Sequence, residues 1–102
     1  MIRISITYSD DAAEITARGH AGYCPGNDIV CASVSTLLQA LGTYLARNGI
    51  GTGEFRSGDI TVRSDSPVSL PYFRLAEHGL RALAKTFPQN VAVLDTADKA
   101  QT

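Results

Sequence analysis

The sequence predicts an α+β fold of order ββαββαβ: a small, mainly antiparallel or mixed sheet with two helices packed on one face. Three observations predict it. Apolar residues alternate at the start, as in Ile2, Ile4, Ile6 and Tyr8. Two long stretches carry three- and four-residue apolar spacing, and clusters of glycine, proline and asparagine separate the segments.

Each element follows in order. Residues 2–8 set Ile2, Ile4, Ile6 and Tyr8 against Arg3, Ser5 and Thr7, the pattern of a strand with one buried side. Ser9-Asp10-Asp11 turns the chain, and residues 13–19 alternate again, with Ile15 and Ala17 opposed to Glu14, Thr16 and Arg18. His20 then stands at the end of the second strand. Residues 21–27 hold two glycines, a proline and an asparagine, so they form a loop. Asp28 is a good N-cap for a helix whose Val30, Val34, Leu37, Leu38, Leu41, Tyr44 and Leu45 share a face. Asn48-Gly49 stops it, with Gly49 suited to the left-handed C′ position. Residues 54–57 and 59–64 read as a second hairpin with Gly58 in its turn and Ile60 and Val62 pointing to the core. After a loop over 64–71, a second helix runs from about residue 71 to 86, with Phe73, Ala76, Leu80, Leu83 and Phe87 inward. Its stripe of Arg74, Glu77, Arg81 and Lys85 has opposite charges at helical spacing and reads as a solvated face. Pro88 ends the helix, residues 90–94 form a last strand, and the polar tail from Asp95 is expected to fray.

At 102 residues the chain is expected to be one small domain, residues 1–102, with a thin core of the kind often supplemented by self-association. Nine Lys+Arg against ten Asp+Glu leave a net charge of −1 with no like-charged run, which argues against nucleic acid or an anionic membrane as main partner. The alternating start is not a secretory h-region, and no stretch is expected to span a membrane. Cys24 and Cys31 are the only cysteines. They are expected to be reduced, and their spacing fits no usual zinc pattern, so neither a metal nor another cofactor is expected.

The segment from Gly19 to Ser35 carries the chemistry. A histidine ends one element, a loop follows, and Cys31 sits one turn inside a helix. At about 100° per residue, Cys31 falls about 80° from the middle of the Val30–Val34–Leu41 face, at its margin. Ser35, Gly42 and Ala46 continue that margin as a strip of small residues open to another chain or a substrate backbone. An ordinary thiol is only about 3% ionised at pH 7. With Asp28 as N-cap, unpaired helix-start N–H groups are expected to face the sulfur, favour its thiolate and form an oxyanion hole. His20 is the histidine expected to serve as base, whereas His78 falls near the charged stripe of the second helix as a surface residue. Gly19 and Gly22 flank His20 and allow tight backbone geometry or close approach of a substrate chain. Asp28 has two competing roles, helix cap or orienting acid for His20. Ser35 is expected to bond back to the Cys31 carbonyl or steady the site. Against this stands the plain alternative that a free cysteine is a small buried hydrophobe. Cys24 is either incidental or the partner of Cys31 in a reversible disulfide.

Gly19-His20-Ala21-Gly22-Tyr23, followed by Asp28-Ile29-Val30-Cys31-Ala32 and Ser35, resembles the ribosomal-processing cysteine protease family, Prp. More loosely, length and element layout are similar throughout. The resemblance implies a bacterial, cytoplasmic, homodimeric endopeptidase that removes a short N-terminal extension from a large-subunit ribosomal protein, without cofactor. It implies Cys31 as nucleophile, His20 as general base, Asp28 and Ser35 as supporting residues, and a substrate-binding loop that includes Gly19, Gly22 and Tyr23 and closes on the peptide. Cys24-Pro25 in that loop and a C-terminal half without the strongly acidic character common in the family depart from its pattern. Three alternatives therefore stand beside it: a phage-associated relative that cuts a capsid or scaffold protein, a non-catalytic dimeric peptide binder, and a thiol redox sensor using Cys24 and Cys31.

Overall fold

Alternation of side chains puts every strand's apolar residues on one side of one sheet. In a computed structural model, which describes residues 1–24, 26 and 28–94, the strands are β1 (Ile2–Ser9), β2 (Ala12–Arg18), β3 (Thr52–Arg56), β4 (Asp59–Ser64) and β5 (Val91–Leu94). The sheet order is β3-β4-β2-β1-β5, antiparallel except for the parallel pairing of β1 with β5. The expected ββαββαβ order and mixed sheet are borne out. The tail expected to fray from Asp95 lies outside the described residues.

Ile2, Ile4, Ile6, Ile15, Ile60, Val62 and Val91 form the buried face of the sheet. Two helices, α1 (Ile29–Arg47) and α2 (Leu70–Thr86), cover that face through Val30, Val34, Leu38 and Leu45 and through Phe73, Ala76 and Leu80. Taking these side chains out of water is the main stabilising term, at about 25 cal/mol per Å² of apolar surface. The other face carries cross-strand ion pairs at matched register, Arg63 with Glu14 at 2.8 Å and Arg18 with Asp59 at 3.3 Å. These pairs are largely exposed and add little.

Both ends of α1 obey their sequence signals. Asp28 caps the start. At the finish Gly49 takes φ 69°, Ile50 N–H donates to Leu45 O at 2.9 Å and Gly49 N–H to Ala46 O at 3.1 Å, the double closure of a Schellman motif. By length and hydropathy α1 is also long and apolar enough to cross a membrane, contrary to the expectation that no stretch is. Its buried stripe is nevertheless committed to the sheet and α2.

Three packing expectations need correction. Tyr44 is not inward: its ring is exposed and tilts against Tyr72 of α2, centroids 5.1 Å apart. The strip of small residues on α1 is not open along its length, because Gly42 is buried under β3. A methyl there would fall 2.6 Å from Phe55 Cζ and 3.4 Å from Gly53 Cα. Helix and edge strand meet backbone to backbone, and only glycine allows it.

The third correction concerns α2, whose charged stripe is not wholly solvated. Glu77 is half-buried, accepts a 2.8 Å bond from Tyr8 Oη and lies 2.9 Å from Arg81 Nε, while Arg74 stacks 3.8 Å over the Tyr8 ring. Burial alone would raise the Glu77 pKa, but Arg81, Tyr8 and Arg74 together hold it below the usual carboxylate value. Burial first, and then Glu77, push the Tyr8 phenol well above its usual value of 10.0. A raised phenol contributes stability below pH 10 and loses it as pH climbs through the folded-state value. Tyr8→Phe is expected to cost about 1 kcal/mol in urea unfolding at neutral pH and to flatten the alkaline decline.

Candidate active site

Between Gly19 and Asp28 the described residues form neither helix nor strand on the way to α1. Their backbone is held instead at three fixed points. Gly19 N–H donates to Gly58 O at 2.9 Å. The buried Ala21 gives its carbonyl to Asn90 Nδ2 at 3.0 Å and its N–H to Cys31 Sγ at 3.1 Å. Tyr23 and Cys24 N–H groups both donate to Asp28 Oδ2, at 3.0 and 3.3 Å.

The second Asp28 oxygen, Oδ1, accepts from Val30 and Cys31 N–H at 3.0 and 2.9 Å. One carboxylate therefore caps α1 and ties down the loop before it. Of the two roles open to Asp28 the structure shows the cap, and both oxygens face backbone donors. The Cys31 N–H foremost, with those of Cys24, Tyr23 and Val30, keeps its pKa below the model-peptide value of 3.8 against an opposing effect of burial. Those bonds also correct the expectation for the sulfur. The helix-start amides of Val30 and Cys31 are taken by Asp28 Oδ1, and that of Ala32 by Asp28 O at 3.0 Å. The donor that reaches Cys31 Sγ is Ala21 N–H, from the loop.

His20 and Cys31 line one cavity of about 380 Å³. The thiol is half-exposed on α1 and the imidazole is exposed at the end of β2. Among the described residues no hydrogen bond joins them. Gly19 and Ser35 line the same cavity. The backward bond expected of Ser35 is absent, and Ser33 makes one instead, to Ile29 O at 2.7 Å. Gly22 and Tyr23 are not part of the cavity lining. Gly22 sits in open space at φ 70°, and the Tyr23 ring meets Phe87 edge-on, centroids 5.4 Å apart. His78 is exposed on α2, away from the site, and Cys24 is exposed on the loop.

Sequence reasoning missed one part of the cavity wall. Phe55, Arg56, Ser57 and Gly58, from β3 and the turn into β4, form it. Their alternation suggested only another hairpin, and no local pattern says which helix a hairpin will lean on. The available hint was glycine: Gly53 inside a strand marks a close backbone approach. Arg56 is exposed, with Glu54 only 3.9 Å away as an ion-pair partner.

A model of one family, described as Cysteine protease Prp, matches residues 1–92. Among solved structures, the Prp ribosomal processing protease of S. aureus in complex with a substrate peptide superposes with a TM-score of 0.76 at 19% identity, covering 92% of this chain and 98% of that one. The same protease in complex with a covalently linked product peptide gives 0.70 at 21%, covering 91% and 97%. SMU.848 from Streptococcus mutans gives 0.71 at 25%, covering 91% of each chain. A search of curated proteins found no match.

Proposed function

This chain belongs to the cysteine protease Prp family, and from that premise we propose that residues 1–102 form one cytoplasmic endopeptidase domain that trims an N-terminal extension from a large-subunit ribosomal protein. The single observation that carries the assignment of residues is the shared cavity: His20 and Cys31 line it together, with Ala21 N–H on the sulfur. Cys31 is the nucleophile and His20 the general base. His20 takes the thiol proton, Sγ attacks the scissile carbonyl, and a thioester forms as His20 returns the proton to the leaving amine. Water then adds to the thioester and restores the thiol. The oxyanion lies beside Sγ in both steps, so Ala21 N–H is the main-chain donor best situated to hold it. Asp28 supports the site by fixing loop and helix together, and Ser35 by lining the cavity. The likeness to Prp structures solved with substrate and product peptides supports a peptide occupant, and the family supports a homodimer as the working unit.

The test is incubation of the purified protein with the host's N-terminally extended ribosomal protein, followed by intact-mass analysis. One defined cut near the N-terminus is expected. No cut there, alongside a defined cut in a phage capsid or scaffold protein, would transfer the activity to another target. No cut in any substrate would leave a binder in its place.

A further inference from the structure

We propose that the β3–β4 turn is a positioning device for the base, with Gly58 present because its missing side chain is where the His20 imidazole lies. This deepens the proposed protease and rests on His20 acting as its base. A Cβ built on Gly58 would fall 2.9 Å from His20 Nε2, 3.2 Å from Cε1 and 3.6 Å from Cδ2. The ring therefore lies over the bare Cα. The same residue holds the other end of the histidine's attachment, because its carbonyl accepts the Gly19 N–H at 2.9 Å. An otherwise exposed imidazole, free to swing into solvent, is thus fixed from two sides: by the backbone that precedes it and by the surface it rests on. Gly58, Ser57 and His20 line the same cavity, so the turn on which the ring rests borders the proposed site.

Gly58 also has φ 70°, so an alanine there strains the backbone as well as displacing the ring. Gly49 separates the two effects. It has φ 69°, and a Cβ on it meets nothing within 4 Å. Gly49→Ala therefore carries the same backbone strain without touching the site. Both variants are expected to lose thermal stability to a similar extent. Only Gly58→Ala is expected to lower kcat, by about 10- to 30-fold with KM within about 2-fold, as misplacement of a catalytic group does. In NMR, Gly58→Ala is expected to move the His20 ring resonances, and Gly49→Ala to leave them unchanged.

The unaltered protein supplies an arm that does not depend on any variant folding: nuclear Overhauser contacts between the Gly58 Hα protons and the His20 ring protons. Their absence would overturn the assignment, as would equal kcat and unmoved His20 ring resonances in the two alanine variants. An unaltered protein that cleaves no peptide would remove the protease reading, while the contacts and ring resonances would still judge the position of the imidazole.

Discussion

Replacing Cys31 with serine is expected to lower peptide cleavage by at least about 10,000-fold while moving Tm by no more than about 2 °C. Cys31 Sγ accepts the Ala21 N–H at 3.1 Å, and a serine hydroxyl can accept from the same donor. The fold thus has little reason to change, yet a neutral alcohol is a far poorer nucleophile than the thiolate that the proposed mechanism requires. His20→Ala is expected to act in the same direction, by about 100- to 10,000-fold, the range of a general base. The imidazole is exposed, so its loss removes little packing. Initial rates on an extended-peptide substrate, with thermal unfolding measured in parallel, check both variants. Retained cleavage in either folded variant would remove that residue from the mechanism.

Asp28→Ala is expected to lower activity by about 100-fold or more and Tm by about 5 °C or more. Its two oxygens accept the Tyr23, Cys24, Val30 and Cys31 N–H groups. Removing the carboxylate leaves those donors to water, frays the first turn of α1 and releases the segment that carries Ala21 to the sulfur. A cap with no further role would lower Tm alone, so the split between stability and turnover is diagnostic. The charge has a signature of its own. The folded-state pKa lies below the unfolded value of 3.8, so the contribution is complete above that value and is lost as pH falls through the depressed one. Asp28→Asn keeps one acceptor but does not titrate, and it is expected to show a shallower acid decline. Glu77, also depressed, supplies the part of the decline that persists in that variant.

Much of this architecture was legible because it is written locally. Alternation marks β1, β2 and β4, helical spacing marks α1 and α2, and Asp28 and Gly49 bound α1 by capping chemistry that needs only near neighbours. The candidate site was half legible for the same reason. His20, Cys31 and Asp28 fall within one short stretch, so their meeting depends on one loop. What could not be read is whatever depends on distant residues. Asn90 reaching Ala21 O, Phe55 closing over Gly42 and Tyr8 reaching Glu77 are tertiary encounters with no periodic signal. The helix-start amides were misassigned because Asp28 has two oxygens: one serves as a simple cap, and the second recruits the loop. That second use placed Ala21, and no helix-start amide, at the sulfur.

The parallel pairing of the first and last described strands has a temporal consequence. Ile2 N–H donates to Asn90 O, and the Asn90 side chain holds Ala21, 69 positions earlier. During vectorial synthesis that tie on Ala21 therefore waits for residue 90, which follows His20 and Cys31 by some sixty positions or more. A nascent chain halted before that point carries both side chains without the bond that anchors the segment between them.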